Sequence, residues 1–225
     1  DNLPPGAQFN PQTQIFSWTP SVNDKGTHAV TFVVRDSAFT ITHTINLYTL
    51  YIQEVRITTE SIVQERPDIH QGKVVWQGSG IHMHDLSTNQ RLVISNSGLA
   101  PVIHKDKIVW VDGKIVYMYD LSTGQKRVVY DAGTWTPRNL AIYEDKIVCE
   151  EDFALILYNL STSQKIQLAS TQLANNPAIY EDKIVWDEWG WPGGIYLYNA
   201  STGQKESIIP PATFDDPIDP DIYEN

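Results

Sequence analysis

One cysteine, Cys149, and two methionines are all the sulfur in 225 residues. A lone thiol rules out an internal disulfide and any metal site built from several cysteines. No apolar run approaches the ~20 residues that carry a helix across a bilayer. No leader-like segment opens the chain, so if the protein is secreted that segment was removed or lies outside it. Lys and Arg number only 16 against 27 Asp and Glu, and they form no cluster; the net charge is −11. That balance repels a phosphate backbone and excludes nucleic acid as a partner, while it would suit Ca²⁺ wherever carboxylates converge. Charged residues are few (19%) and hydrophobic ones plentiful (41%), which excludes a disordered chain. What is abundant is aromatic and β-branched: 7 Trp, 11 Tyr and many Thr, Val and Ile favour strands. The length suffices for one to two domains with a sizeable core.

A repeat organises most of the chain. PDIHQGKVVW (67–76), PVIHKDKIVW (101–110), LAIYEDKIVC (140–149) and PAIYEDKIVW (177–186) are copies of one phrase, and PDIYEN (220–225) begins a fifth. Ile69, Ile103, Ile142, Ile179 and Ile222 are spaced by 34, 39, 37 and 43 residues. A second phrase follows each of the first four: HMHDLSTNQ (82–90), YMYDLSTGQ (117–125), LYNLSTSQ (157–164) and LYNASTGQ (197–204). Each unit reads as four short strands joined by polar turns of Gly, Asn, Asp and Ser. Four antiparallel strands at this period are a β-propeller blade, with an open solenoid as the alternative. Blades cover each other's faces, so KIVW is expected to be apolar throughout instead of alternating.

The phrase PAIYEDKIVW…IYLYNASTGQ resembles the TolB-like propeller repeats of surface proteins from methanogenic archaea. The resemblance covers residues 54–225 and implies a cell-surface location without catalysis; it names no ligand. Residues 1–50 lack the phrase. Leu3-Pro-Pro-Gly6, Phe16-Ser-Trp-Thr-Pro20, and Gly26-Thr27 leading into Val30-Thr-Phe-Val-Val34 resemble the later half of an immunoglobulin-like module common in microbial surface proteins. About four strands can be counted before Tyr51, where such a sandwich needs about seven.

The expected fold is therefore all-β: a partial immunoglobulin-like sandwich (1–50), then propeller repeats (54–225). The blades span about 67–97, 101–132, 139–170 and 177–210, with the start of another at 219–225. EVRIT (54–58) reads as the fourth strand of a blade whose other strands are missing, and 221–223 as the first strand of a further one. Two explanations fit: the chain is a fragment of a longer protein, or a neighbouring copy completes it through open sheet edges.

Strand alternation places the blade-to-blade loops and the second-to-third-strand loops on one face. That face carries Trp135, Asp112, Glu150, Glu151, Asp152, Asp187, Glu188, Trp189 and Trp191. Exposed indoles stack on the apolar faces of sugars, so Trp135, Trp189 and Trp191 are candidate ligand-binding residues. Glu150, Asp152, Asp187 and Glu188 could gather Ca²⁺ or serve as acid and base in glycan cleavage, although no EF-hand spacing is present and solvated acidic loops are common. His82 and His84 share one strand face as a possible Zn²⁺ pair, but Tyr117/Tyr119, Ile156/Tyr158 and Tyr196/Tyr198 stand at their repeat positions and no third ligand is evident. Cys149 replaces a repeat Trp and reads as a small buried hydrophobe. Asn159-Leu-Ser161 and Asn199-Ala-Ser201 are N-glycosylation sequons that coincide with turns.

These features favour a non-catalytic extracellular protein of a surface layer or an adhesive coat, with no cofactor beyond a possible Ca²⁺. Its partners would be other envelope proteins or cell-surface glycans, with self-association through open edges. The alternatives are a carbohydrate-binding module using exposed Trp, and a polysaccharide lyase or hydrolase using the loop-face carboxylates.

Overall fold

A computed structural model describes residues 2–50, 54, 56–59, 61–170, 174–188, 193–209 and 220–223. The described residues form strands, turns and loops with no helix. The chain divides into two compact units, Asp1–Thr59 and Glu60–Asn225.

The first unit holds two hairpins. The short one joins β1 (Gln8–Asn10) to β2 (Ile15–Ser17). The long one joins β3 (Gly26–Arg35) to β4 (Thr40–Thr49) in unbroken register from Gly26↔Thr49 to Arg35↔Thr40. Phe32 ties them together, meeting Phe9 and Phe16 edge-on with ring centroids 5.7 and 6.0 Å apart. Val34, Ile41 and Tyr48 remain exposed. A sandwich buries such residues under a second sheet.

The second unit is built from four sheets of four antiparallel strands each, in a propeller-like arrangement. Blade 1 comprises β5 (Glu65–His70), β6 (Lys73–Gln77), β7 (Ile81–Asp85) and β8 (Gln90–Ser95). Blade 2 comprises β9 (Leu99–His104), β10 (Lys107–Asp112), β11 (Ile115–Asp120) and β12 (Gln125–Asp131). Blade 3 comprises β13 (Arg138–Tyr143), β14 (Lys146–Glu151), β15 (Ala154–Asn159) and β16 (Lys165–Ala169). Blade 4 comprises β17 (Ala174–Tyr180), β18 (Lys183–Glu188), β19 (Gly194–Asn199) and β20 (Gln204–Ile209). The first strand of each blade packs on the first strand of the next, so these strands lie innermost.

The repeated turns explain why the chain reverses where it does. Asp85 and Asp120 use one carboxylate oxygen to accept the backbone N–H groups of Ser87 and Thr88, and of Ser122 and Thr123. Asn159 and Asn199 do the same with the amide oxygen. The following residue then donates its N–H to the first hairpin turn: Leu86 to Gly72, Leu121 to Asp106, Leu160 to Asp145 and Ala200 to Asp182, at 2.7–2.8 Å. Side chains of this class favour turns because they satisfy local backbone donors.

Second strands are buried on both faces, as the continuous apolar run requires. Trp76, Trp110, Cys149 and Trp186 occupy matching places in β6, β10, β14 and β18, paired across the ladder with His82, Tyr117, Ile156 and Tyr196. All four are buried. The apolar clusters lie between blades: Val75, Ile81 and Met83 of blade 1 meet Ile103, Ile108 and Trp110 of blade 2, and the other junctions repeat this. Ile69 shows what a missing neighbour does. Its counterparts Ile103 and Ile142 are buried, whereas Ile69, with no preceding blade among the described residues, is 59% exposed.

Each innermost strand also contains a bulge that the sequence does not announce. Arg66, Ala100, Asn139 and Asn176 have φ of 50, 51, 46 and 49°. Around each of them the innermost strand takes three steps where its partner takes two. One extra residue per strand bends it sharply. The following prolines, Pro67, Pro101 and Pro177, line an axial opening of about 370 Å³ together with Pro220 of the fifth phrase. The described residues of the other expected partial strands, 54, 56–58 and 221–223, form no strand. A lone strand has no ladder to join.

Candidate functional site

The loop that leads into blade 3, the β14–β15 turn of blade 3 and the start of blade 4 border one cleft of about 230 Å³, lined by Trp135, Arg138, Glu150, Asp152 and Phe153 among others. Trp135 lies in the connection from β12 to β13, and Phe153 in the turn from β14 to β15. Their rings touch, with centroids 5.9 Å apart and planes at 58°. Trp135 is 54% exposed and Phe153 56%.

Phe153 is the residue that sequence reasoning missed. Asp152 and Phe153 have φ of 49 and 64°. The same turn in blade 2 is Gly113-Lys114, in which Gly113, at φ 59°, stands opposite Asp152 and Lys114 opposite Phe153. Glycine adopts this backbone freely, while a bulky side chain there costs on the order of 1–2 kcal/mol. An aromatic held in that conformation and pointed at solvent is unusual. The alignment gave no signal, because Phe153 stands opposite Lys114 and it is Asp152 that takes the glycine place.

Two of the four candidate metal ligands, Glu150 and Asp152, line this cleft; Asp187 and Glu188 lie in β18 of blade 4, paired with the lining residues Asn175 and Ala174. Glu150 Oε1 accepts from Asn139 Nδ2 at 2.6 Å and from the Asn176 N–H at 3.1 Å, which staples blade 3 to the bulge of blade 4. Gln77 makes the matching link from blade 1 to the Ala100 N–H at 3.1 Å. Glu151 is buried and ion-paired with Lys165. Glu188 accepts from Lys205 at 3.2 Å and from Trp186 Nε1 at 3.1 Å. The expected convergence of Glu150, Asp152, Asp187 and Glu188 on one cation is not what the chain forms. They belong to different blades, and two of them hold protein donors. Among the described residues no group of three or more His, Cys, Asp or Glu could hold a metal ion. Trp189 and Trp191 lie outside the described residues.

Fourth-strand lysines complete the pattern. Lys126 lies over Trp110 and Tyr117, and Lys205 over Trp186 and Tyr196, with the ammonium 4.3–5.1 Å from the ring centres. In blade 3, where Cys149 replaces Trp, Lys165 lies instead over Tyr130, a side chain borrowed from blade 2. The Tyr130 hydroxyl is 3.1 Å from Cys149 Sγ. Burial pushes the Cys149 thiol up to about 12, and burial likewise raises the Tyr130 hydroxyl. A thiol held this far from ionisation is a poor nucleophile.

The histidines stand in for aromatic rings. His82 stacks on Trp76 with centroids 5.6 Å apart, and His84 shares a 2.9 Å hydrogen bond with Asn89 Oδ1. His70, His104, Tyr143 and Tyr180 form a ladder along the innermost strands, with centroids 4.4, 4.4 and 5.1 Å apart. Burial, then the neighbouring His70, holds the His104 pKa below its ordinary 6.5, with nearby Glu144 only partly offsetting this. The unfolded chain binds a proton near that pH that the folded chain refuses, so stability is present above pH 6.5 and falls as the pH drops through it. Denaturant midpoints measured from about pH 8 down to 5 are expected to show this slope, and His104→Tyr, which copies Tyr143, is expected to flatten it.

A family model described as "Putative Ig domain" matches residues 1–52. No curated protein matches the chain. Among solved structures, a chain of the nidogen/laminin complex is similar at 11% identity and a TM-score of 0.53, over 73% of this chain and 70% of that one. The acylaminoacyl peptidase of Pyrococcus horikoshii is similar at 15% identity and a TM-score of 0.55, over 69% of this chain and 33% of the peptidase. The oligogalacturonate lyase of Vibrio parahaemolyticus is similar at 15% identity and a TM-score of 0.53, over 81% of this chain and 59% of the lyase. Likenesses this distant carry the fold alone. The chain is an all-β protein in which a segment matching an immunoglobulin-like family model is followed by four propeller-like blades.

Proposed function

We propose that this chain is a non-catalytic extracellular protein, part of a microbial surface layer or adhesive coat, whose propeller presents its variable loop face to partners. The observation that carries the reading is how the loop-face carboxylates are used. Glu150, Glu151 and Glu188 are engaged by amide, ammonium and indole donors of the blades themselves. Such groups hold blades together; a general acid or base must instead reach a substrate proton. The variable loops supply exposed aromatic surface at the same face, which suits binding. The TolB-like phrase and the immunoglobulin-like segment support an archaeal surface setting, with envelope proteins or glycans as partners. Exposed Ile69 at the first blade supports association with a further blade, from another copy or another segment.

Asn159 and Asn199 remain glycan acceptors in this reading. Attachment at the amide nitrogen leaves the amide oxygen that accepts the turn hydrogen bonds. The lyase or hydrolase reading has a direct test: incubation with polysaccharides is expected to release no product. Protease shaving of intact cells is expected to remove the protein. Release of sugar products abolished by Glu150→Gln, or protection from shaving together with recovery in the cytoplasmic fraction, would overturn the proposal.

A further inference from the structure

We infer that the cleft bordered by the β12–β13 loop, blade 3 and the start of blade 4 binds one neutral sugar ring, stacked on the wall formed by Trp135 and Phe153. This deepens the surface-binding reading above and rests on it. A pyranose has apolar C–H faces and a hydroxyl edge, so it is recognised by an aromatic platform with polar groups at the rim. The cleft has both parts. Trp135 and Phe153 supply the platform, and Arg138, Glu150 and Asp152 line the same cavity.

Geometry and charge narrow the ligand. The two rings are in mutual contact at 5.9 Å, so they form a continuous bent wall and leave no gap for a cation between their faces. A platform of this kind takes a flat apolar face instead. Glu150 and Asp152 outnumber Arg138 at the cleft, and the whole chain carries −11, which disfavours uronates and sulfated sugars. The volume, about 230 Å³, lies below the roughly 300–1,000 Å³ typical of ligand pockets, so a single ring fits. Packing does not call for the Phe153 ring, which is more than half exposed. The chain nevertheless holds it at φ 64°, a backbone that bulky side chains rarely adopt. Strain kept at an exposed aromatic is accounted for by a ligand that uses it.

The test is binding of the full chain to immobilised neutral hexose and N-acetylhexosamine oligosaccharides, with oligogalacturonate and a panel of peptides alongside. Capture by a neutral oligosaccharide is expected, with affinity lowered at least tenfold in both Trp135→Ala and Phe153→Gly. Phe153→Gly is expected to melt no lower than the parent, since glycine suits its backbone, so its lost binding cannot be assigned to unfolding. Three results would overturn the inference while leaving the surface reading intact: neutral sugars bound equally by both variants, capture by oligogalacturonate or peptides only, or no capture at all by a protein that shaving places outside the cell. Release of soluble products from a bound glycan would sink the non-catalytic reading itself.

Discussion

Trp110→Ala is expected to destabilise the propeller unit by about 3–5 kcal/mol, the range for deleting a large buried aromatic. Trp110 is fully buried, stacked on Tyr117 with centroids 5.7 Å apart and planes at 18°, and covered by Lys126 at 5.1 Å. Its surroundings belong to two blades, so neither can collapse into the hole without moving the other. Gly98 confirms how tight the fit is: a Cβ there would lie 2.3 Å from Trp110 Cδ1, at a φ of 121° that other residues rarely adopt. Among the described residues Trp110 Nε1 has no hydrogen-bond partner. Trp110→Phe therefore loses volume but no hydrogen bond and is expected to cost clearly less than alanine. Trp135→Ala, at an exposed position, is expected to stay within about 0.5 kcal/mol of the parent. Urea titration of the three variants checks the order. A Trp110→Ala penalty as small as that of Trp135→Ala would mean that the second strands are not sandwiched between blades.

The second large effect concerns the blade in which the repeat breaks its own rule. Cys149→Trp restores the residue found at Trp76, Trp110 and Trp186, and a consensus argument would have it stabilise. The structure gives the opposite expectation. Tyr130 from blade 2 already fills that space, stacked on Tyr158 with centroids 4.8 Å apart and its hydroxyl at 3.1 Å from Cys149 Sγ. Overpacking is expected to cost at least 1–3 kcal/mol, of the usual order for forced core insertions. Tyr130→Ala alone removes a partly buried ring and is expected to cost less than the ~3–5 kcal/mol of a fully buried aromatic. The double variant exchanges one ring for another in the same space, so its penalty is expected to fall well below the sum of the two. A double-mutant cycle measures this coupling directly. Additive penalties would show that Tyr130 and Cys149 do not compete for one site.

Much of this was legible in the residues. The phrase ending in KIVW, repeated with its DLST, NLST or NAST partner, specifies four strands and their turns, because continuous apolar runs and Asx-type turns have few other uses. Burial of Trp76, Trp110, Cys149 and Trp186 in matching places follows from it. Three features were not legible. The bulges at Arg66, Ala100, Asn139 and Asn176 share a backbone conformation but no common side chain. Tyr130 enters blade 3 from a different repeat, and linear alignment does not show contacts between repeats. Phe153 was hidden because an aromatic in a turn contradicts local preference, as residues at functional positions often do. The acidic loops read as a cation site because proximity in sequence says nothing about partners. Glu150, Glu151 and Glu188 are instead held by neighbouring donors.

Amide hydrogen exchange across β6, β10, β14 and β18 tests the central claim most directly, because those strands are interior to their sheets in all four blades. Slow exchange is expected in all four, with the loops at 133–137 and 152–153 exchanging far faster. Fast exchange in one of the four, while the other three stay protected, would contradict the equivalence on which the propeller rests.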